Sequence, residues 1–316
     1  MDRKHAAIVY NPAKIALGRV RRAVVAEEER HGWGESRWYA TDQDDPGRRA
    51  AVRALEDKPS LLIIAGGDGT VRAVVEAVHE SGTPLALLPA GTGNLLARNL
   101  GLPLNAVESS IRTAFAGRPR AVDLAVAEVE DAAGKRSRHV FLVMAGIGLD
   151  SDMASTGAES KKRLGWLAYV PRITRSVLAN HQFQLRYRID GGRTRQARAH
   201  TIIVGNCGML TGNMLLIPEA KPDDGRLDVV MLRPEGRFGW ARIGTRLTVQ
   251  GLVHRSRLGK RMLQLAPDLR ALVYQQGQQF DIRFDVPHQA ELDGDVLGPI
   301  IAARVTVQAG ALTFRV

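Results

Sequence analysis

The stretch LLIIAGGDGTVRAVVEAV, residues 61–78, decides the fold. Four apolar residues run through Ala65 into Gly66, Gly67 and Gly69, with one carboxylate, Asp68, held among them. An amphipathic apolar run follows directly. A buried strand that turns through glycine into a helix is the repeating unit of a parallel α/β sheet. Such a turn aims several backbone N–H groups at one point, and the helix N-terminus adds positive potential there. Glycine lets the backbone approach a phosphate closely and adopt positive φ. Thr70 is placed to act as N-cap or as a hydroxyl donor to a phosphate oxygen. Asp68 repels a phosphate unless a cation lies between them, and Mg²⁺ resolves that conflict. The structural alternative is a tight turn with an ordinary Asx cap.

The arrangement recurs downstream. LLPAGTGN, residues 87–94, is again a strand end followed by glycines, a hydroxyl and a helix start at Leu95. The first strand also ends in a polar turn, Asn11-Pro12-Ala13-Lys14, which offers an amide and a cation. Three such turns at the ends of neighbouring strands would face one nucleotide polyphosphate. Neither a Walker loop nor a Gly-x-Gly-x-x-Gly fingerprint after a strand is present.

Outward from these loops, residues 1–124 alternate short apolar runs (6–10, 61–65, 85–88) with helical patterns (19–30, 47–57, 70–80, 105–116). That rhythm predicts an N-terminal α/β nucleotide-binding domain with a parallel sheet, whose ligands bind at the carboxyl ends of the strands. From residue 125 to residue 316 the rhythm changes to strands at 141–145, 183–189, 199–204, 227–232, 271–274, 280–284, 300–307 and 312–316. Several alternate apolar and polar residues, which predicts an antiparallel β-sandwich domain. Two helical insertions are expected near 161–179 and 239–252.

The chain has 316 residues, 45% hydrophobic and 24% charged, enough for two globular domains. No apolar run approaches the ~18 residues of a membrane span. A single cysteine, Cys207, excludes an internal disulfide and fits a reducing cytoplasm. The formal charge of +11 attracts polyanions: nucleic acid, an anionic membrane or nucleotide phosphates. Nucleic acid ranks last, because aromatics are only 5% and no recognised module is present. The eight histidines show no metal-ligand spacing, and Cys207 reads as packing.

Taken together, the loops resemble the diacylglycerol kinase catalytic-domain family, in particular its bacterial lipid kinases. Gly66-Gly67-Asp68-Gly69-Thr70 is similar to the nucleotide loop, and Pro89-Ala90-Gly91-Thr92-Gly93-Asn94 to the second loop. The segment 96–103 continues the match, and Asn11-Pro12 resembles the opening turn. In the second half the resemblance rests on 146–150, on 218–229, and on Leu292-Asp293-Gly294-Asp295. It implies ATP-dependent phosphorylation of a lipid hydroxyl such as that of diacylglycerol. ATP would be bound by Asn11, Gly66, Gly67, Asp68, Gly69, Thr70, Gly91, Thr92 and Asn94. Asp68 would sit at the catalytic Mg²⁺, and Asp223, Asp224 and Asp228 at or near a second, structural Mg²⁺. For Asp223-Asp224-Gly225 the alternative is a surface turn, which Asp-Gly favours.

Two departures stand out. Where the family usually continues Asn-Asp, Asn94 is followed by Leu95. Where the family places Asp-Gly-Glu, with Glu as general base, this chain has Asp293-Gly294-Asp295. Asp295 can perform the same proton transfer but reaches about one bond less far, and a displacement of ~1 Å can cost ~100-fold in rate. Compensation by the backbone, a slow enzyme, or a role for Glu291 or Asp293 all stay open.

Lys, Arg, Trp and Tyr mix in residues 161–172. Residues 233–261 carry eight Lys or Arg and one acid. Both stretches suit peripheral docking on an anionic membrane, each cation contributing ~1 kcal/mol; an ordinary solvated face is the alternative. The expectation is a cytoplasmic, peripherally membrane-associated lipid kinase. Two rivals are an NAD kinase-like enzyme, which shares the GGDGT loop, and a catalytically weak nucleotide or lipid sensor. The acceptor lipid is not legible, and a homodimer stays open.

Overall fold

A computed structural model describes residues 3–148, 182–209, 216–217, 219–233 and 272–316. The helical insertions expected near 161–179 and 239–252 lie outside the described residues. So do the basic and aromatic stretch at 161–172 and nearly all of 233–261.

The chain divides into two compact units, residues 1–124 with 308–316, and residues 125–307. The first unit is built on parallel strands β1 (Ala6–Tyr10), β2 (Arg37–Ala40), β3 (Leu61–Gly66) and β4 (Leu85–Pro89). Their order is β4-β3-β1-β2. The chain therefore moves outward from β1 in both directions, which places a topological switch between β1 and β3. All six residues of β3 are buried, so its sequence is an unbroken apolar run. Helices α1 (Leu17–His31), α2 (Arg48–Glu56), α3 (Asp68–Val78), α4 (Leu95–Asn99) and α5 (Val107–Ala116) connect the strands. Helix α3 holds four valines with poor intrinsic helix propensity, and all four are buried. Packing outweighs propensity there.

The sequence assigned residues 308–316 to the second domain, but they belong to the first unit. Phe314 pairs with Leu85 in parallel, and Arg118 and Val316 exchange backbone hydrogen bonds at 2.8 and 3.0 Å. Asp123, 2% exposed, accepts the Gly310 amide at 2.7 Å and fixes the same terminus.

The second unit is antiparallel. Beyond β5 (Pro119–Asp131) it contains β6 (Arg136–Phe141), β7 (Met144–Ile147), β8 (Phe183–Ile189), β9 (Arg195–Ala199), β10 (Thr201–Gly205), β11 (Leu227–Leu232), β12 (Leu272–Gly277), β13 (Gln279–Leu292) and β14 (Asp295–Arg315). Strand β13 pairs with β8 through residues 280–284 and with β7 through residues 290–292. A register shift between Arg283 and His288 separates the two halves, and an irregularity of that kind lets one strand bend between two partners. Phe141, Phe280, Phe284 and Tyr187 anchor its core. Among the described residues no helix is long and apolar enough to cross a membrane.

Candidate functional site

Three loops meet at the carboxyl ends of β1, β3 and β4. The Asn11 amide donates to Ala65 O at 2.9 Å, and the Ala90 amide to Gly66 O at 2.9 Å. Each turn is thereby tied to the next strand. Gly66, Gly67 and Gly91 serve close approach, not unusual dihedrals; none of Gly66, Gly67, Gly69, Gly91 and Gly93 has a positive φ. A Cβ on Gly91 would stand 2.6 Å from the Gly67 Cα, so the two loops touch backbone to backbone. A Cβ on Gly67 would stand 3.0 Å from Lys14 Nζ, which places the Lys14 ammonium beside this junction. A Cβ on Gly66 would collide with Thr70 at 2.6 Å.

The left-handed residue in this cluster is Asn94, at φ 48°. Its side chain closes the second loop on itself: the Gly91 amide donates to Asn94 Oδ1, and Asn94 Nδ2 to Gly91 O, both at 2.8 Å. Asn11 works the same way, its Oδ1 accepting the Ala13 amide at 3.0 Å. Both asparagines use these side-chain atoms to shape their loops. Arg98, which the sequence did not single out, adds a third brace by donating Nε to Gly93 O at 2.8 Å. An arginine one turn into the helix after a glycine loop was the available signal.

Thr70 is not the N-cap of α3. That position belongs to Gly67, in extended conformation, and Thr70 is buried on Gly66. Thr92 is exposed on the second loop. Asp68 opens α3 and reaches the next loop, its Oδ1 accepting the Leu95 amide at 2.6 Å. Burial raises its carboxyl above the ordinary range against the opposing pull of the Leu95, Asn94 and Leu96 amides. One carboxylate oxygen is thus committed to the start of α4. Mg²⁺ in a nucleotide site asks for only one or two carboxylates, the remaining ligands being phosphates and water. The donor set fits a cation held in that way.

The second unit presents the other candidates. Asp293 and Gly294, at φ 50° and 86°, form the two-residue turn between β13 and β14. The Asp293 carboxylate accepts the amides of Leu142, Val143 and Met144 at 2.8, 2.9 and 3.0 Å. It is a structural clamp, and Asp295, half-buried, is the first residue of the strand that follows. Asn206 grips the same segment, donating Nδ2 to Leu142 O at 3.1 Å. Cys207 is buried and packs there.

Asp223 and Asp224 are exposed in a turn whose Gly225 has φ 70°, and Asp228 is buried on β11. Burial, with the charges of Asp224 and Glu219, pushes the Asp228 carboxyl up to about 6, against a hydrogen bond from Gln276. Among the described residues no group of three or more His, Cys, Asp or Glu side chains is gathered for a metal ion.

Comparison with known proteins agrees with this architecture. Residues 5–127 match the diacylglycerol kinase catalytic domain, and residues 143–315 the YegS C-terminal NAD kinase beta sandwich-like domain. The "Probable lipid kinase YegS-like" protein of Pseudomonas aeruginosa is 31% identical over 235 residues, 73% of each chain. The diacylglycerol kinase of Staphylococcus carnosus is 27% identical over 236 residues, again 73% of each. A solved diacylglycerol kinase structure from Bacillus anthracis superposes with a TM-score of 0.72 at 23% identity, covering 99% of this chain and 96% of that one. That structural likeness speaks for the fold.

Proposed function

The chain belongs to the diacylglycerol kinase catalytic-domain family, joined to a YegS-type C-terminal domain, and from that premise we propose that it transfers the γ-phosphoryl group of ATP to the hydroxyl of a lipid such as diacylglycerol. The observation that carries this reading is the backbone contact between Gly67 and Gly91 beside the Lys14 ammonium. Phosphoryl transfer needs placement and charge neutralisation more than covalent participation. Loops that meet without side chains leave backbone N–H groups and a cation to receive phosphate oxygens.

In this reading the loops at 66–70 and 91–94 position the triphosphate, and Thr92, exposed on its loop, offers a hydroxyl donor. Asp68, with phosphate oxygens and water, would hold Mg²⁺, which supplies charge neutralisation when bound. Asp295 accepts the proton of the lipid hydroxyl as that oxygen attacks. Asn11, Asn94 and Arg98 keep the loops in shape through the hydrogen bonds described above. Peripheral contact with a membrane gives access to the acceptor.

Radiolabelled ATP incubated with a total lipid extract, and in parallel with NAD, followed by identification of the product, tests the proposal. A labelled phospholipid is expected. Label on NAD would favour the NAD kinase-like alternative, and ATP binding without transfer to any lipid would refute the kinase activity.

A further inference from the structure

The outward face of β8, β13 and β14 carries arginines in rows. In one row Arg188, Asp281 and Arg304 stand side by side. Asp281 accepts Arg304 Nε at 2.7 Å and faces Arg188 Nη2 at 3.4 Å, so two guanidiniums share one carboxylate. The next row is Arg186, Arg283 and Ala302. Two guanidinium side chains are directly opposite there with no acid in the row, an arrangement that destabilises a sheet. Ala302 leaves open the space that a longer side chain would fill.

The acids near this second row lie on its flanks. Asp285 is 3.3 Å from Arg186, and Glu130 is 3.7 Å from Arg283. Glu130 is also 3.1 Å from Arg136. Together these strands line a groove of about 390 Å³, whose lining holds five arginines and three carboxylates, Glu128, Glu130 and Asp281, with Asp285 beside it on Arg186. That volume is in the range of small-ligand sites. Arg186 and Arg283 remain 53% and 55% exposed. A guanidinium has five N–H donors in a planar fork that matches a phosphate, and the ion pairs above engage one nitrogen of each.

We infer that this groove binds the phosphate of an anionic phospholipid head group and docks the second unit on a negatively charged bilayer. Arg186 and Arg283 face each other with their acids, Asp285 and Glu130, to the sides, and an anion bound between the two guanidiniums offsets the repulsion that those flanking ion pairs leave. The choice of a bilayer over a soluble phosphate rests on the lipid-acceptor reading proposed above. The groove itself is distinct from the glycine loops and from Asp295.

Sedimentation with phosphatidylglycerol-containing vesicles and with neutral phosphatidylcholine vesicles, without ATP, tests the site. Because no turnover is measured, failure of the kinase reading and failure of the docking site are separable. The wild type is expected to prefer the anionic vesicles. Arg186→Gln with Arg283→Gln is expected to bind them about 30-fold more weakly, roughly fivefold per cation. Its melting temperature is expected to change little, because the like-charge pair and the exposed ion pairs with Asp285 and Glu130 are lost together; this separates lost docking from lost folding. Arg186→Lys with Arg283→Lys keeps the charge but loses the fork, and a several-fold loss is expected. Wild-type-like binding by the glutamine variant would overturn the inference, as would equal binding of the wild type to neutral vesicles. Full binding by the lysine variant would overturn the fork-shaped site. Stabilisation of the wild type by inorganic pyrophosphate, absent in the glutamine variant, together with unchanged vesicle binding would assign the groove to a soluble phosphate and overturn the bilayer assignment.

Discussion

The carboxylate of Asp68, at the start of α3, accepts the backbone amide of Leu95 at the start of α4, 27 residues away, at 2.6 Å. Helix α4 has no side-chain cap of its own, since its N-cap Asn94 is turned to Gly91. Asp68 therefore satisfies a donor that the helix leaves orphaned, and one acid serves two loops.

This double duty separates two substitutions. Asp68→Asn retains an oxygen for the Leu95 amide but has no charge to hold a cation. It is expected to unfold within ~1 kcal/mol of the wild type while losing lipid phosphorylation. Asp68→Ala removes the acceptor as well and should cost ~1–2 kcal/mol in addition. Urea unfolding beside a labelled-ATP assay reads both; an active Asn variant would remove Asp68 from the chemistry.

The Gly67–Gly91 contact predicts an order of severity. A methyl at residue 91 meets the Gly67 backbone at 2.6 Å, whereas a methyl at residue 67 meets the flexible end of Lys14 at 3.0 Å and the Gly91 backbone only at 3.2 Å. Backbone cannot yield as a lysine tip can. Gly91→Ala should part the loops, lowering turnover ~100-fold, and Gly67→Ala should be the milder of the two. Steady-state kinetics with ATP varied compares them; the reverse order would contradict the loop contact.

Much of the first unit was legible because β1, β3 and β4 are buried on both faces and so write continuous apolar runs. Strand β2, RWYA, was missed: it is short, none of its residues is fully buried, and it pairs only on its β1 side among the described strands. Strand β5 was missed because Asp123 and Glu128 interrupt its apolar run, although Asp123 is buried on the Gly310 amide. Strand β14 was read as two strands because Gly310, at φ 58°, breaks the alternation. At the site, glycine spacing located the loops, but the reason for the glycines was invisible. Contacts between residues 67 and 91, or between 293 and 142–144, exist only once the chain is folded.

Asp281 gives a pH test of the arginine rows. Burial works against its charge, but hydrogen bonds from Arg304 and Gln279 outweigh that and hold the carboxyl below the ordinary range. A depressed acid contributes stability above its unfolded pKa near 4 and loses it as pH falls through the folded value. Asp281→Asn should therefore be about 1 kcal/mol less stable at pH 7, a modest figure for a partly exposed pair. The difference should shrink below about pH 4. Denaturant titrations at pH 7 and pH 3 measure it, and an equal deficit at both would point to lost packing.

Asp293 and Asp295 are two residues apart, yet they are expected to fail in different ways. Asp293 holds three consecutive amides, two of them on the buried residues Leu142 and Val143. Each buried donor left without an acceptor costs ~1–3 kcal/mol, so Asp293→Ala should lower stability by roughly 3 kcal/mol or more. Asp295 begins the next strand, and asparagine there keeps the size and shape of its side chain. Asp295→Asn should leave the unfolding midpoint within ~0.5 kcal/mol and reduce phosphoryl transfer at least ~100-fold, the usual yield of a general base. Asp295→Glu, whose carboxylate reaches about one bond farther, should keep or raise the rate. Thermal unfolding and initial rates on the same preparations decide between the two acids. A stable, inactive Asp293 variant beside a fully active Asp295→Asn would move the proton-accepting role to Asp293.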